Sequence, residues 1–267
     1  MPCASFARSP LILLAVICPL FASAPLRAQS LAPDPSQNTP AGLSLRDVSW
    51  EKLPQNFLLD QKEIWLFPVQ LAHGHYWLPT LGVLGVTTGL LLADSHDAPY
   101  FRRTSGFQGF NRGFSGSITA SEIALVPASF YLAGLIRKDS YSEKTALFAG
   151  EAVADSLTLN LIMKIASRRL RPSDIAPTGN FSGTFFRSNA SLLDGSFPSA
   201  HAMAAFSVAT IFARRYRDHR WVPWVAYGVA GVICFSRITL QSHFPSDVFL
   251  GAALAYPIAR FVVLQNQ

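Results

Sequence analysis

From residue 77 onward six apolar runs punctuate the chain, at about residues 77–94, 119–137, 145–166, 199–214, 221–238 and 247–264. Each is near the roughly 20 residues that a helix needs to cross a bilayer, and none is free of small or polar side chains. The pattern predicts an all-α bundle with six core helices, embedded in a membrane or else a very apolar helical domain. The third run contains Glu151, Asp155, Asn160 and Lys164, which are expensive facing lipid. Glu151 and Asp155 are one helical turn apart and share a face. The preferred reading is an interior polar seam that supports neighbouring helices; the sharper one makes them partners of basic site residues.

The polar stretches divide the rest. Residues 29 to about 48 are rich in Pro, Ser, Gln and Asn and read as a mobile linker. From Trp50 to Tyr76 aromatic and charged residues mix irregularly, consistent with a short amphipathic helix lying on a membrane or on the bundle. Between Ser173 and Ser196 a Gly-, Ser-, Asn- and Phe-rich loop lacks helical periodicity. A loop of that length is usually functional, as a lid or a substrate-selecting rim. At the N-terminus Arg8 precedes an apolar run from Leu11 to Ala24, and Leu26-Arg27-Ala28 offers a cleavage site. An uncleaved anchor is the alternative. The expected division is 1–28 signal peptide or anchor, 29–76 linker and amphipathic segment, and 77–267 helical domain.

Composition agrees with this pattern. Half the residues are hydrophobic and 14% are charged, against about 25% in an ordinary soluble domain. The net charge of +6 is dispersed in short clusters at Arg102–Arg103, Arg137–Lys138, Arg168–Arg171 and Arg214–Arg220. They sit between apolar runs, as loop charges that orient helices in a bilayer do. No aromatic-basic platform accompanies them, so nucleic acid is not an expected partner. If cleavage follows Ala28, Cys3 and Cys18 leave and Cys234 remains. A disulfide framework and a cysteine-based metal site are then excluded.

Three short motifs bear chemistry. Lys164-Ile-Ala-Ser-Arg-Arg-Leu-Arg171-Pro172 places two cations seven residues apart, two turns along one helical face, with Pro172 ending the helix and holding Arg171 extended. A guanidinium fork and an ammonium suit a phosphate dianion; a basic helix end also simply complements the helix dipole. Phe197-Pro198-Ser199-Ala200-His201 opens an apolar helix with Ser199 as its N-cap. The amides after it make an anion site that His201 can face. In Ser236-Arg237-Ile-Thr-Leu-Gln-Ser-His243-Phe-Pro-Ser-Asp247, a helical turn brings Asp247 to one ring nitrogen of His243. That fixes the tautomer and leaves the other nitrogen as a nucleophile. Taken singly, each motif is better explained as a capped helix or a surface charge.

In order and spacing the three resemble the signature of the type 2 phosphatidic acid phosphatase superfamily, which shares its fold with vanadium haloperoxidases. The family patterns K-x6-R-P, P-S-G-H and S-R-x5-H-x3-D appear here as KIASRRLRP, PSAH and SRITLQSHFPSD. The departure is Ala200 in place of the usual glycine; it keeps the backbone N–H but adds a methyl group and excludes glycine-only backbone angles. The resemblance implies a phosphatase working through a phosphohistidine. His243 would be the nucleophile, oriented by Asp247, and His201 the general acid and then base. Lys164, Arg171 and Arg237, with Ser199 and the Ala200 amide, would hold the phosphate. It implies no metal and no cofactor, and a phosphorylated lipid or small phosphate ester as partner.

Two rivals stand beside it: a vanadium-dependent haloperoxidase using the same cationic cradle, and a non-catalytic helical membrane protein. The apolar bundle favours a lipid phosphate or polyprenyl pyrophosphate, while exported acid phosphatases carry the same signature. The turn from Arg214 to Arg220 is expected on the cytoplasmic side and the motifs on the periplasmic one. An exported N-terminus followed by three spanning runs gives the opposite orientation.

Overall fold

A computed structural model describes residues 46–114, 116–176, 178–187, 193 and 195–265. The signal segment, Cys3, Cys18 and the start of the linker lie outside these residues. The described chain is all-α. Its helices are α1 (Leu53–Ala72), α2 (Trp77–Arg103), the single turn α3 (Gln108–Asn111), α4 (Gly116–Arg137), α5 (Ser140–Ser167), α6 (Ala200–Arg215), α7 (Trp221–Thr239) and α8 (Pro245–Pro257), the last continuing as a π-helical segment, Ile258–Val263. Each of the six apolar runs is a helix, and α1 occupies the stretch expected to be amphipathic.

The helices differ sharply in burial. In α6, eleven of its 16 residues are buried, whereas α2 buries Thr87, Asp94 and Ala98 out of 27. Helix α6 is therefore the centre of the bundle, with α5, α7 and α8 packed around it. It is also shorter than the five helices that, among the described residues, are long and apolar enough to cross a membrane: α2, α4, α5, α7 and α8 with its continuation. Large apolar side chains cover their outward faces, among them Leu78 and Leu92 on α2, Ile136 on α4 and Trp224 on α7. Helices of this length and apolarity, with large apolar side chains facing outward, make the chain a membrane protein.

Small residues let α6 sit close to its neighbours. Ala149, Ala152 and Ser156 of α5 recur at helical spacing and are buried, and Ser156 Oγ lies 2.8 Å from Ser207 Oγ of α6. Close approach of small residues with a hydroxyl bridge is how helices associate where lipid removes the hydrophobic driving force. Gly251 of α8 is packed closely against α6: a Cβ there would stand 2.8 Å from the Ser199 carbonyl oxygen.

The seam on α5 is interior, as preferred from the sequence, and its partners come from α1 and the residues before it. Arg46 donates to Asp60 (2.7 Å) and Glu151 (2.6 Å), and Gln61 Nε2 to Asp155 Oδ1 (2.8 Å). Val48 enters the main apolar core. Residues 46–72 thus pack onto the bundle rather than tethering it. Glu151 lies more than three turns before Lys164, roughly 20 Å along the helix, so the seam and the basic motif residues are at different levels.

Candidate active site

Four helix ends meet at one end of the bundle: the C-termini of α5 and α7 and the N-termini of α6 and α8. The motif residues lie on or just beyond these ends. The α6–α7 turn, with Arg214 to Arg220, is at the other end.

Helix α5 stops earlier than the sequence suggests. Arg168 takes a left-handed backbone (φ 42°, ψ 47°) and caps the helix after Ser167. Arg171 is extended (φ −77°, ψ 155°) ahead of Pro172, as expected. Lys164 and Arg171 therefore do not share a helical face; Arg171 returns to the site on a loop. That loop is tied by Leu170 N–H to the Thr184 carbonyl (3.0 Å) and Ser173 N–H to the Gln241 carbonyl (3.0 Å). Lys164 is 6% exposed.

Ser199 caps α6, its hydroxyl accepting from Ala202 N–H (3.4 Å). Two contacts set this start in place: Asn160 Nδ2 of α5 donates to the Pro198 carbonyl (2.9 Å), and Ser199 N–H donates to the Asp247 carbonyl (3.0 Å). Ala200 begins the helix without a left-handed backbone, so glycine's special conformational freedom is not needed there. His201 follows in the first turn, its Nε2 3.1 Å from the Gly116 carbonyl at the start of α4. It is within electrostatic reach of Arg237, His243 and Lys164.

Arg237 is 1% exposed. Its guanidinium donates to the Phe114 carbonyl (2.6 Å), Thr119 Oγ1 (2.9 Å) and Ser236 Oγ (3.1 Å from Nε). The short α3 buttresses this corner, Asn111 Nδ2 donating to the Thr239 carbonyl (3.1 Å).

His243 is buried, and its Nδ1 lies 2.7 Å from the Ser196 carbonyl oxygen. A carbonyl only accepts, so Nδ1 carries the proton and Nε2 keeps its lone pair. Asp247 was expected to accept that hydrogen bond. Its Oδ2 is instead 3.8 Å from Nδ1, in ion-pair range but beyond hydrogen-bond length. The carboxylate is held by other donors: Oδ2 accepts from Phe244 N–H (2.8 Å) and Ser196 Oγ (2.5 Å), and Oδ1 from Arg169 (2.5 Å). The Phe244 contact is a helix-start cap on α8, so the structural and the electrostatic readings of Asp247 hold together. Burial pushes the His243 imidazole below its ordinary 6.5; Asp247 opposes the shift, and Lys164 and Arg171 add to it.

Arg169 is the residue that sequence reasoning missed. It falls among the six unspecified positions of the first motif, in a cluster read as loop charge. In the structure it is 2% exposed and bridges Asp247 to Asp94 of α2 (2.7 Å). Asp94 gave no local signal, since a lone acid in an apolar run has many uses. Beside this corner, an open cleft of about 330 Å3 is lined by Ser95, Arg102, Arg103, Asn180 and Phe181 among others. Arg102 ties it to the loop after motif one, donating to the carbonyls of Pro172 and Ala176.

Residues 145–267 match the PAP2 superfamily. A stretch of 60 residues is 40% identical to a lipid A 1-phosphatase of Porphyromonas gingivalis, covering 22% of this chain and 14% of that protein. The chain thus matches about a seventh of that relative's length. Among solved structures, a transmembrane PAP2 type phosphatidylglycerolphosphate phosphatase from Bacillus subtilis aligns with a TM-score of 0.39 and 19% identity, over 79% of this chain and 92% of that one. Residues 145–267, which hold all three motifs, belong to the PAP2 superfamily.

Proposed function

We propose that the protein is a phosphatase that hydrolyses a phosphate monoester or pyrophosphate, with a lipid phosphate as the favoured substrate, through a phosphohistidine. The supporting observation is the tautomer of His243. Its Nε2 lone pair is left available by the Ser196 contact, beside two cations, Lys164 and Arg171, that act on the same ring.

In this reading Nε2 attacks phosphorus while the bond to the leaving oxygen breaks. Lys164, Arg171 and Arg237, with Ser199 and the Ala200 amide, hold the equatorial oxygens, where charge is carried through phosphoryl transfer. Asp247 offsets the positive charge that develops on the ring. His201 protonates the departing alkoxide, then takes a proton from the water that cleaves the N–P bond. With Nε2 of His201 directed at the Gly116 carbonyl, Nδ1 is the nitrogen that exchanges protons. Three side-chain cations supply the charge for this step.

The lipid preference rests on the apolar outer faces of the helices around the site and on the lipid substrate named for the P. gingivalis relative. The basic Arg214–Arg220 turn at the opposite end of the bundle supports a site on the periplasmic face of a bacterial inner membrane. Purified protein is to be assayed in detergent against phosphatidate, polyprenyl pyrophosphate and a small aryl phosphate, with His243→Ala as control. Phosphate release abolished in a folded His243→Ala variant is expected; substantial residual turnover refutes the mechanism.

A further inference from the structure

Behind His243 a buried chain of alternating charge runs from α2 to the loop that carries the histidine. Arg169 donates to Thr184 Oγ1 from Nε (3.0 Å), to Ser246 Oγ (2.8 Å) and Asp247 Oδ1 (2.5 Å) from Nη1, and to Asp94 Oδ2 (2.7 Å) from Nη2. Its guanidinium packs over the rings of Phe244 (4.1 Å), Phe185 (4.6 Å) and Phe197 (5.9 Å). With two carboxylates, two hydroxyls and three aromatic faces around it, this arginine is committed to the protein and not to a substrate phosphate. Asp94 is 1% exposed and also accepts from Ser246 Oγ (2.5 Å) and Ser246 N–H (3.3 Å) at the start of α8. It lies outside the stretch that matches the family.

We propose that Arg169 and Asp94 are positioning residues for the phosphoryl transfer, setting both the aim of His243 and the net charge beneath it. The aim follows from two contacts to Ser196. The Arg169 carbonyl accepts from Ser196 N–H (2.8 Å), and the Ser196 hydroxyl donates to Asp247, which the Arg169 side chain holds. The Ser196 carbonyl in turn fixes the imidazole. The charge follows from a count. Asp247 paired with Arg169 alone is a neutral couple, which offers a phosphohistidinium little field. Asp94 makes the set two carboxylates to one guanidinium, one net negative charge in the chain behind Asp247.

This inference rests on His243 being the nucleophile. The other charged groups acting on its ring are Lys164 from α5, Arg171 from the following loop and His201 from α6, with Arg237 of α7 acting on His201. They are unchanged in the variants below. The test is the pH profile of kcat/KM on one small aryl phosphate for wild type, Asp94→Asn, Arg169→Gln and His243→Ala. The acid limb reports protonation of the nucleophile. Removing the Asp94 charge is expected to move that limb to lower pH, and removing the Arg169 charge to higher pH, each by about half a unit or more. In both variants kcat falls about tenfold while KM stays within about threefold.

A residue that merely stabilised the fold would change the yield of folded protein without moving the limb in opposite senses. Limbs that stay in place, or move the same way, overturn the proposal. Where Arg169→Gln does not fold, the nearly isosteric Asp94→Asn decides alone, by a limb that moves down or does not. An active His243→Ala variant brings down the underlying mechanism; an inactive one with unmoved limbs in the other two brings down this inference only.

Discussion

Gly251 offers the sharpest test of how the packing positions the site. A Cβ at that position would meet the Ser199 carbonyl oxygen at 2.8 Å, and Ala202 Cβ and Met203 Cγ at 3.3 Å. The first contact is with backbone, and that backbone is fixed twice: Ser199 caps α6, and its N–H is bonded to the Asp247 carbonyl. No flexible side-chain end can move aside, so Gly251→Ala must push α8 away from the α6 N-terminus by several tenths of an ångström. Overpacking of this kind costs about 1–3 kcal/mol, which lowers the melting temperature of a chain this size by about 2–12 °C. The displaced parts include Ser199 and Asp247, so phosphate release should fall about tenfold or more, since small misplacements of reacting groups are costly. Gly150 of α5, with no atom within 4 Å of an added Cβ, is the control, and Gly150→Ala should leave both quantities unchanged. Thermal unfolding in detergent and initial rates on an aryl phosphate read the two effects. A Gly251→Ala protein as stable and active as Gly150→Ala refutes the claim that this contact holds the site together.

Two further outcomes follow from buried charges. Because His243 has a folded pKa below its ordinary 6.5, the unfolded chain binds more protons than the folded one as pH falls below that value. Stability from this group is therefore complete above about 6.5 and is lost on acidification below it; urea midpoints across that range should fall, and fall less in His243→Gln. Arg46→Ala strips the guanidinium from the buried Asp60 and Glu151 and should cost about 3–5 kcal/mol, part of it recovered by adding Asp60→Asn. The turnover of the molecules that remain folded should not change, because this cluster lies far along α5 from Lys164; a loss of kcat in folded Arg46→Ala would contradict that separation.

The local elements were legible in the sequence because their causes are local. Apolar runs of bilayer length became helices, Ser199 became an N-cap, and Pro172 held Arg171 extended. The three motifs were legible for a different reason: the resemblance rests on order and spacing, which a single chain displays in full. Nearest-neighbour reasoning went astray where the chain turned. Seven residues between Lys164 and Arg171 suggest one helical face, but a left-handed Arg168 ends the helix between them. Beyond it, Leu170 and Ser173 bond to the carbonyls of Thr184 and Gln241, partners that the spacing alone does not name.

Tertiary structure alone decided which polar residues serve which end of the bundle. Glu151 and Asp155 share a helix with Lys164, yet their partners are Arg46 and Gln61. Asp94 and Arg169 are 75 residues apart and meet in the protein interior. The sequence by itself determined the helices, their apolar outer faces and the set of groups able to handle a phosphate. Which nitrogen of His243 bears the proton, and what holds Asp247 beside it, depended on contacts between Ser196, Arg169 and Asp94. Buried charges are stable only beside partners, and distance along the chain does not say which partner folding will bring.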